Sequence, residues 1–144
     1  MEEIDWDHYT KLLPTLEGTI TEFVGRLTKA GIEKVSYDIF PFDIASVVVG
    51  FQWNGYRLSI SLEDIKIIHG SIKIAFRLRV SVAKEVSLKK VYYSDQELQK
   101  DLTVKSIAEE VIQTNPEEIL CVLMKGYNVL RDNFKDLPTI ESKC

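Results

Sequence analysis

The chain has 144 residues, enough for one domain with a sizeable core that needs no metal or disulfide to hold it. Hydrophobic residues at 45% and charged residues at 28% are globular proportions, which excludes fibrous and disordered classes. The net charge of −4 and a pI near 5.3 lack the overall basicity expected of a nucleic-acid binder.

Met1 to Asp7 is acidic and has neither the basic nor the apolar region of a secretory signal. No apolar run approaches the ~20 residues a membrane span requires. Of the two cysteines, Cys121 sits in the apolar run Ile119 to Met124 and Cys144 is the last residue. Nothing in the sequence calls for a bridge between them. Reduced thiols without a targeting signal point to a soluble, cytoplasmic protein.

The first element reads as a helix. Trp6, Tyr9, Leu13, Leu16, Ile20, Phe23 and Leu27 recur at three- and four-residue steps and form one stripe. Asp5 is the expected N-cap and Gly31 the expected stop. Pro14 favours a break, with the main helix running from about Leu13 to Ala30 and Trp6 to Leu12 as a separate turn.

Strands follow. Val35 to Phe40 alternates and stops at Pro41. Ala45 to Leu62 predicts a hairpin turning at Asn54-Gly55, the pair best suited to the two positive φ angles of a type I′ turn. A two-residue loop then sets Trp53 opposite Tyr56, Phe51 opposite Leu58, Val49 opposite Ile60 and Val47 opposite Leu62, all on one apolar face. The other face pairs Gln52 with Arg57, Gly50 with Ser59 and Val48 with Ser61.

Ser61 to Gly70 is read as strand or extended loop rather than helix, because β-branched residues dominate it. Ser71 to Val82 alternates cleanly, with Ile72, Ile74, Phe76, Leu78, Val80 and Val82 on one side. Val86 to Tyr93 is expected to be an edge strand defended by Lys89 and Lys90.

The last third reads as two or three helices. Ser94 to Glu97 is a capping box leading to Leu98 and Leu102, and Thr103 restarts a helix with Ile107, Val111 and Ile112. Asn115-Pro116-Glu117-Glu118 opens the final helix. Its apolar arc, Ile119 to Phe134, is wide enough to pack on two sides or on another subunit. Leu137-Pro138 ends it, with a loosely ordered tail from about 138. The whole describes one α+β domain over 1–144: a twisted antiparallel sheet of four to five strands, with one N-terminal helix and two or three C-terminal helices on its apolar face.

Charge is uneven along this order. Residues 1–33 and 94–144 each carry a net −4 and residues 34–93 a net +4, so the sheet reads as basic and the helices as acidic. Arg57, Lys73, Arg77 and Arg79 share the face opposite the core and form a candidate anion or partner surface. An ordinary solvated sheet face is the preferred account of them, since half-solvated antiparallel sheets look like this and arginine stems cover apolar area. The aromatics that single-strand binders place among such residues fall here on the core side. Lys89, Lys90, Tyr92 and Tyr93 form a second candidate, a small interaction rim.

Catalytic chemistry has no signature. His8 and His69 are far apart, with no Cys or His at ligand spacing, so no metal site is expected. Cys121 lies in an inert apolar setting. Glu63-Asp64, Glu109-Glu110 and Glu117-Glu118 single out no acid/base pair, and there is no phosphate-binding glycine loop. No cofactor is expected. The reading is a non-enzymatic protein-binding module resembling adaptors, chaperones or immunity proteins in size and charge. It is expected to self-associate as a homodimer through the wide-arc helix or an uncapped sheet edge. Nucleic-acid or polyanion binding by the basic face is the alternative. A small enzyme or apolar-ligand carrier with a pocket between sheet and helices comes third.

Overall fold

The computed structural model describes residues 6–40, 46–67, 74–84, 93, 94, 96 and 104–140. Helix α1 (Trp6–Lys29) leads into strands β1 (Glu33–Phe40), β2 (Ser46–Trp53), β3 (Tyr56–Ile67), β4 (Ile74–Lys84) and β5 (Val104–Thr114). A 3₁₀ turn (Pro116–Glu118) then opens helix α2 (Ile119–Asn133). The five strands form one antiparallel sheet in the order of the chain. This is the expected α+β class.

The hairpin has the register its turn requires. Asn54 and Gly55 have φ of 49° and 80°, and the pairing runs from Trp53↔Tyr56 through Phe51↔Leu58 and Val49↔Ile60 to Val47↔Leu62. Gly55→Val forces a β-branched side chain into the left-handed region. We expect a loss of about 2 kcal/mol in chemical denaturation; a neutral result would place the strain elsewhere.

Alternation puts Val47, Val49, Phe51, Leu58, Ile60, Leu62, Phe76, Leu78 and Val80 in the core on one face of the sheet. Leu16, Ile20, Phe23 and Leu27 of α1 complete that core with Val122, Leu123, Met124, Tyr127 and Leu130 of α2. Helix α2 touches α1 as well as β3 and β4, so its wide apolar arc is used on two sides within this chain. The approach is close at Gly126, where a Cβ would lie 2.8 Å from Ile60 Cγ2.

The ends of the helices follow local rules. At the end of α1, Gly31 (φ 93°) donates to Thr28 O and Ile32 to Leu27 O, a Schellman motif in which Ile32 and Leu27 are both buried. After α2, the Asp136 carboxylate accepts from Trp53 Nε1 at 3.1 Å and from Asn54 Nδ2 at 2.7 Å. These two bonds hold its carboxyl below the usual range and fasten the hairpin tip to the chain beyond α2.

Three expectations need correction. Helix α1 does not break at Pro14 but runs through it. Pro14 is exposed, and the helix continues past it although proline lacks the N–H that would bond the carbonyl four residues earlier. Residues 104–114, expected as a helix restarting at Thr103, are strand β5. Of the two or three C-terminal helices expected, only α2 has its bounds among the described residues, and Gln96 is the one other α-helical residue described there. Five of the eleven residues of β5, Val104, Ile107, Val111, Ile112 and Thr114, are β-branched, and the strand satisfies the edge of β4. Cys121, expected as a free thiol, is disulfide-bonded, which removes its support for a reducing compartment. The only other cysteine of the sequence, Cys144, lies outside the described residues, as do Asp5 and, of the tail expected from about 138, residues 141–144. Of the edge strand expected at Val86 to Tyr93 only Tyr93 is described, and of the capping box and helix start from Ser94 through Leu102 only Ser94 and Gln96 are, with Gln96 helical. No described helix is long and apolar enough to cross a membrane.

Candidate functional site

The sheet face turned away from the helices carries Arg57, Ser59, Ser61 and Glu63 on β3, Arg77, Arg79 and Ser81 on β4, and Glu109, Val111 and Gln113 on β5. Pairing of β3 with β4 brings Arg57, Arg77 and Arg79 to one surface, as their alternation requires. Lys73 lies outside the described residues.

Each of the three arginines has partners. Arg79 Nη1 meets Glu63 Oε1 at 3.2 Å and its Nη2 meets Glu109 Oε1 at 3.4 Å, while Arg77 Nε reaches the same Glu109 oxygen at 3.2 Å. Ser61 Oγ adds a bond to Glu63 Oε1 at 3.4 Å. Arg57 lies across β2 above Gly50, where a Cβ would meet its Nη2 at 2.9 Å. From there it donates to Lys34 O and Ser36 Oγ on β1. Glycine at position 50 is what lets the guanidinium bridge three strands.

These groups are a third to nearly a half exposed. Each pair therefore contributes on the order of 0–1 kcal/mol, enough to favour a strand register but not to hold the fold. Electrostatically the face sets three arginines against two glutamates. It is nearly neutral here, because Glu63 of β3 lies among the arginines and β5 adds Glu109 from the acidic C-terminal third.

Glu63 and Glu109 are the members of this face that sequence reasoning missed. Glu63 continues the β3 alternation of Arg57, Ser59 and Ser61 by one more step, a signal that was present. Glu109 was hidden by the helical reading of 104–114.

The edges differ. On β1, the four residues from Glu33 to Ser36 lie opposite three on β2, a bulge with Lys34 at φ 53°, and Arg57 ties that edge down. On β5, Val104 is 60% exposed and Val111 71%. Its exposed charges are Lys105, Glu109 and Glu110, with Glu110 Oε2 held by Lys125 Nζ of α2 at 2.7 Å.

Of the candidate rim, Tyr93 is described and is 89% exposed; Lys89, Lys90 and Tyr92 lie outside the described residues. A shallow cleft of about 270 Å³ opens at the end of the sheet, lined by Gly31, Glu33, Gln52, Trp53, Asn54 and Gly55. Glu33 is its single charged group, too little for acid/base work. The space between sheet and helices is occupied by Phe23, Phe51, Phe76, Leu123 and Tyr127. No cluster of metal-ligating side chains occurs among the described residues.

Comparison with protein-family models, with curated proteins and with solved structures finds no match to this chain.

Proposed function

We propose that this chain is a non-enzymatic protein-binding module, of the adaptor, chaperone or inhibitor kind, that takes its partner along the β5 edge of the sheet. The observation that supports this best is the exposure of β5, among the described residues an edge strand, of eleven residues and carrying two exposed valines. An edge strand offers a row of backbone donors and acceptors, and an incoming strand can pair with them. Proteins that avoid such pairing blunt the edge with bulges, charges or a covering side chain. Both edge strands carry a bulge, but β1 is also tied down by Arg57, whereas β5 presents Val104 and Val111 to water.

Tyr93 adds an exposed aromatic to the same proposal. The alternative, polyanion binding through Arg57, Lys73, Arg77 and Arg79, draws less support from a face on which three of the four already have partners.

The test is capture from native lysate on the wild-type chain and on Val104→Lys/Val111→Lys, each with and without nuclease. The expected result is a protein that survives nuclease treatment and is lost from the double variant, since lysines on an edge oppose strand addition. Capture that disappears with nuclease and is kept by the double variant would overturn this reading in favour of the arginine face, and Arg77→Glu/Arg79→Glu should then abolish a salt-sensitive interaction.

A further inference from the structure

We infer that the occupant of the β5 edge is β5 of a second copy, paired antiparallel about a two-fold axis at Ala108 so that two sheets become one of ten strands. This rests on the reading of β5 as a binding edge and adds what it binds. The basis is that β5 is complementary to itself in one register.

A two-fold axis perpendicular to a sheet sets each residue opposite its equivalent on the far side of the axis, and residues opposite each other must point to the same face. In a regular strand only residues an even number of positions apart meet this condition. β5 is not regular: Ser81 pairs with Ser106 while Val80 pairs with Ala108, so Ile107 is an extra residue that shifts the alternation by one. Val104 and Ser106 therefore share the outer face with Glu109 and Val111. Lys105 shares the inner face with Ala108 and Glu110, as their partners on β4 require.

Counted from Ala108 across the bulge, Ser106 and Glu109 lie one step away on either side, Lys105 and Glu110 two steps, and Val104 and Val111 three. An axis at Ala108 thus sets Val104 against Val111 of the second copy, Lys105 against Glu110 and Ser106 against Glu109, each pair occurring twice. The two exposed valines cover each other, lysine meets carboxylate, and a hydroxyl donor meets a carboxylate acceptor. Glu110 Oε2 accepts from Lys125 Nζ at 2.7 Å, and the pairing adds Lys105 of the second copy to the same carboxylate.

The neighbouring registers lack this match. Moving the axis one step toward the C-terminus sets Glu109 against itself, a like-charge contact. One step toward the N-terminus sets Val104 against Glu109 and Lys105 against Ala108.

A strand pair of this length buries less than the ~1,600 Å² of a standard interface, so the dimer should exchange with monomer as concentration changes. Sedimentation equilibrium of the purified chain, from micromolar to millimolar, is expected to show the mass rising from 16.5 kDa toward twice that value. Lys105→Glu faces Glu110 of its copy and Glu110→Lys faces Lys105, so each variant alone is expected to stay monomeric. Mixed in equal amounts they should regain the dimer, each supplying the charge that the other lacks. A defect in folding would not be repaired by mixing. Val104→Cys mixed with Val111→Cys should likewise give an oxidised cross-linked dimer that neither forms alone, a second readout that leaves the charges untouched.

A wild-type chain that stays monomeric at millimolar concentration, or a dimer that both charge reversals leave intact, overturns the pairing. Either result leaves the edge-binding reading to its own test, the loss of captured protein from Val104→Lys/Val111→Lys.

Discussion

Gly126→Val is expected to destabilise the protein by about 3 kcal/mol, or roughly 10 °C in melting temperature. A Cβ at this position would sit 2.8 Å from Ile60 Cγ2 and 3.4 Å from Leu78 Cδ1, so it needs space that the helix–sheet contact does not have. The atom in the way is on the β-carbon branch of a buried strand residue, which cannot swing aside as the tip of a long side chain can. Either Ile60 leaves its rotamer or α2 lifts from β3 and β4. Gly126→Ala sets the same clash against a gain of about 1 kcal/mol in helix propensity, so its net cost should be smaller, about 1 kcal/mol. Ile60→Ala removes the clashing methyl, and in that background Gly126→Ala should stabilise rather than destabilise. A double-mutant cycle by urea denaturation reads this directly. If Gly126→Ala has the same effect with and without Ile60, the close approach is not what position 126 requires.

The wide arc of α2 and the small residue within it were both visible in the sequence, but what Gly126 touches was not. Which strand lies beneath a helix depends on sheet order, and alternation fixes faces without fixing neighbours. The hairpin was the opposite case. Asn54-Gly55 determines a two-residue loop, the loop determines the register, and seven residue pairs follow from one turn. The stripe from Leu16 to Leu27 was equally legible, because one amphipathic helix announces its buried face without reference to anything else.

Strand β5 was misread for a reason that lies in its own geometry. The extra residue at Ile107 reverses the alternation halfway along, so no period of two survives over the eleven residues. What remains is Ile107 and Val111 four apart, a spacing shared with helices. The same bulge lets the two halves of β5 face each other in a symmetric pair. The candidate site inherited the misreading. Alternation along β3 and β4 is enough to put the arginines on one face, while the glutamate between Arg77 and Arg79 comes from β5, whose spacing resembles that of a helix.

Removal of the Tyr127 side chain by Tyr127→Ala should cost about 3–5 kcal/mol, the range for a large buried aromatic. Tyr127 is fully buried, its ring centroid 6.3 Å from that of Phe51, and its hydroxyl donates to Pro138 O at 2.5 Å. That bond ties the chain after α2 back to the core, and two residues earlier Asp136 holds Trp53 and Asn54. Tyr127→Phe keeps the ring and removes the tie, so about 1–2 kcal/mol should be lost, together with a shift of the Trp53 indole N–H resonance. Burial also pushes the Tyr127 hydroxyl from its ordinary 10.0 up to about 12, with the Arg131 cation pulling weakly the other way. A raised value means that between these limits the folded chain keeps a proton that the unfolded chain gives up. The stabilisation is therefore complete below pH 10 and declines as pH rises toward 12, by on the order of 2 kcal/mol for this group. Other tyrosines and lysines titrate in the same window, so the measurement is the difference between wild type and Tyr127→Phe in stability against pH. The gap between the two curves should narrow from pH 10 upward; a constant gap would mean that the hydroxyl ionises as freely in the fold as in the unfolded chain.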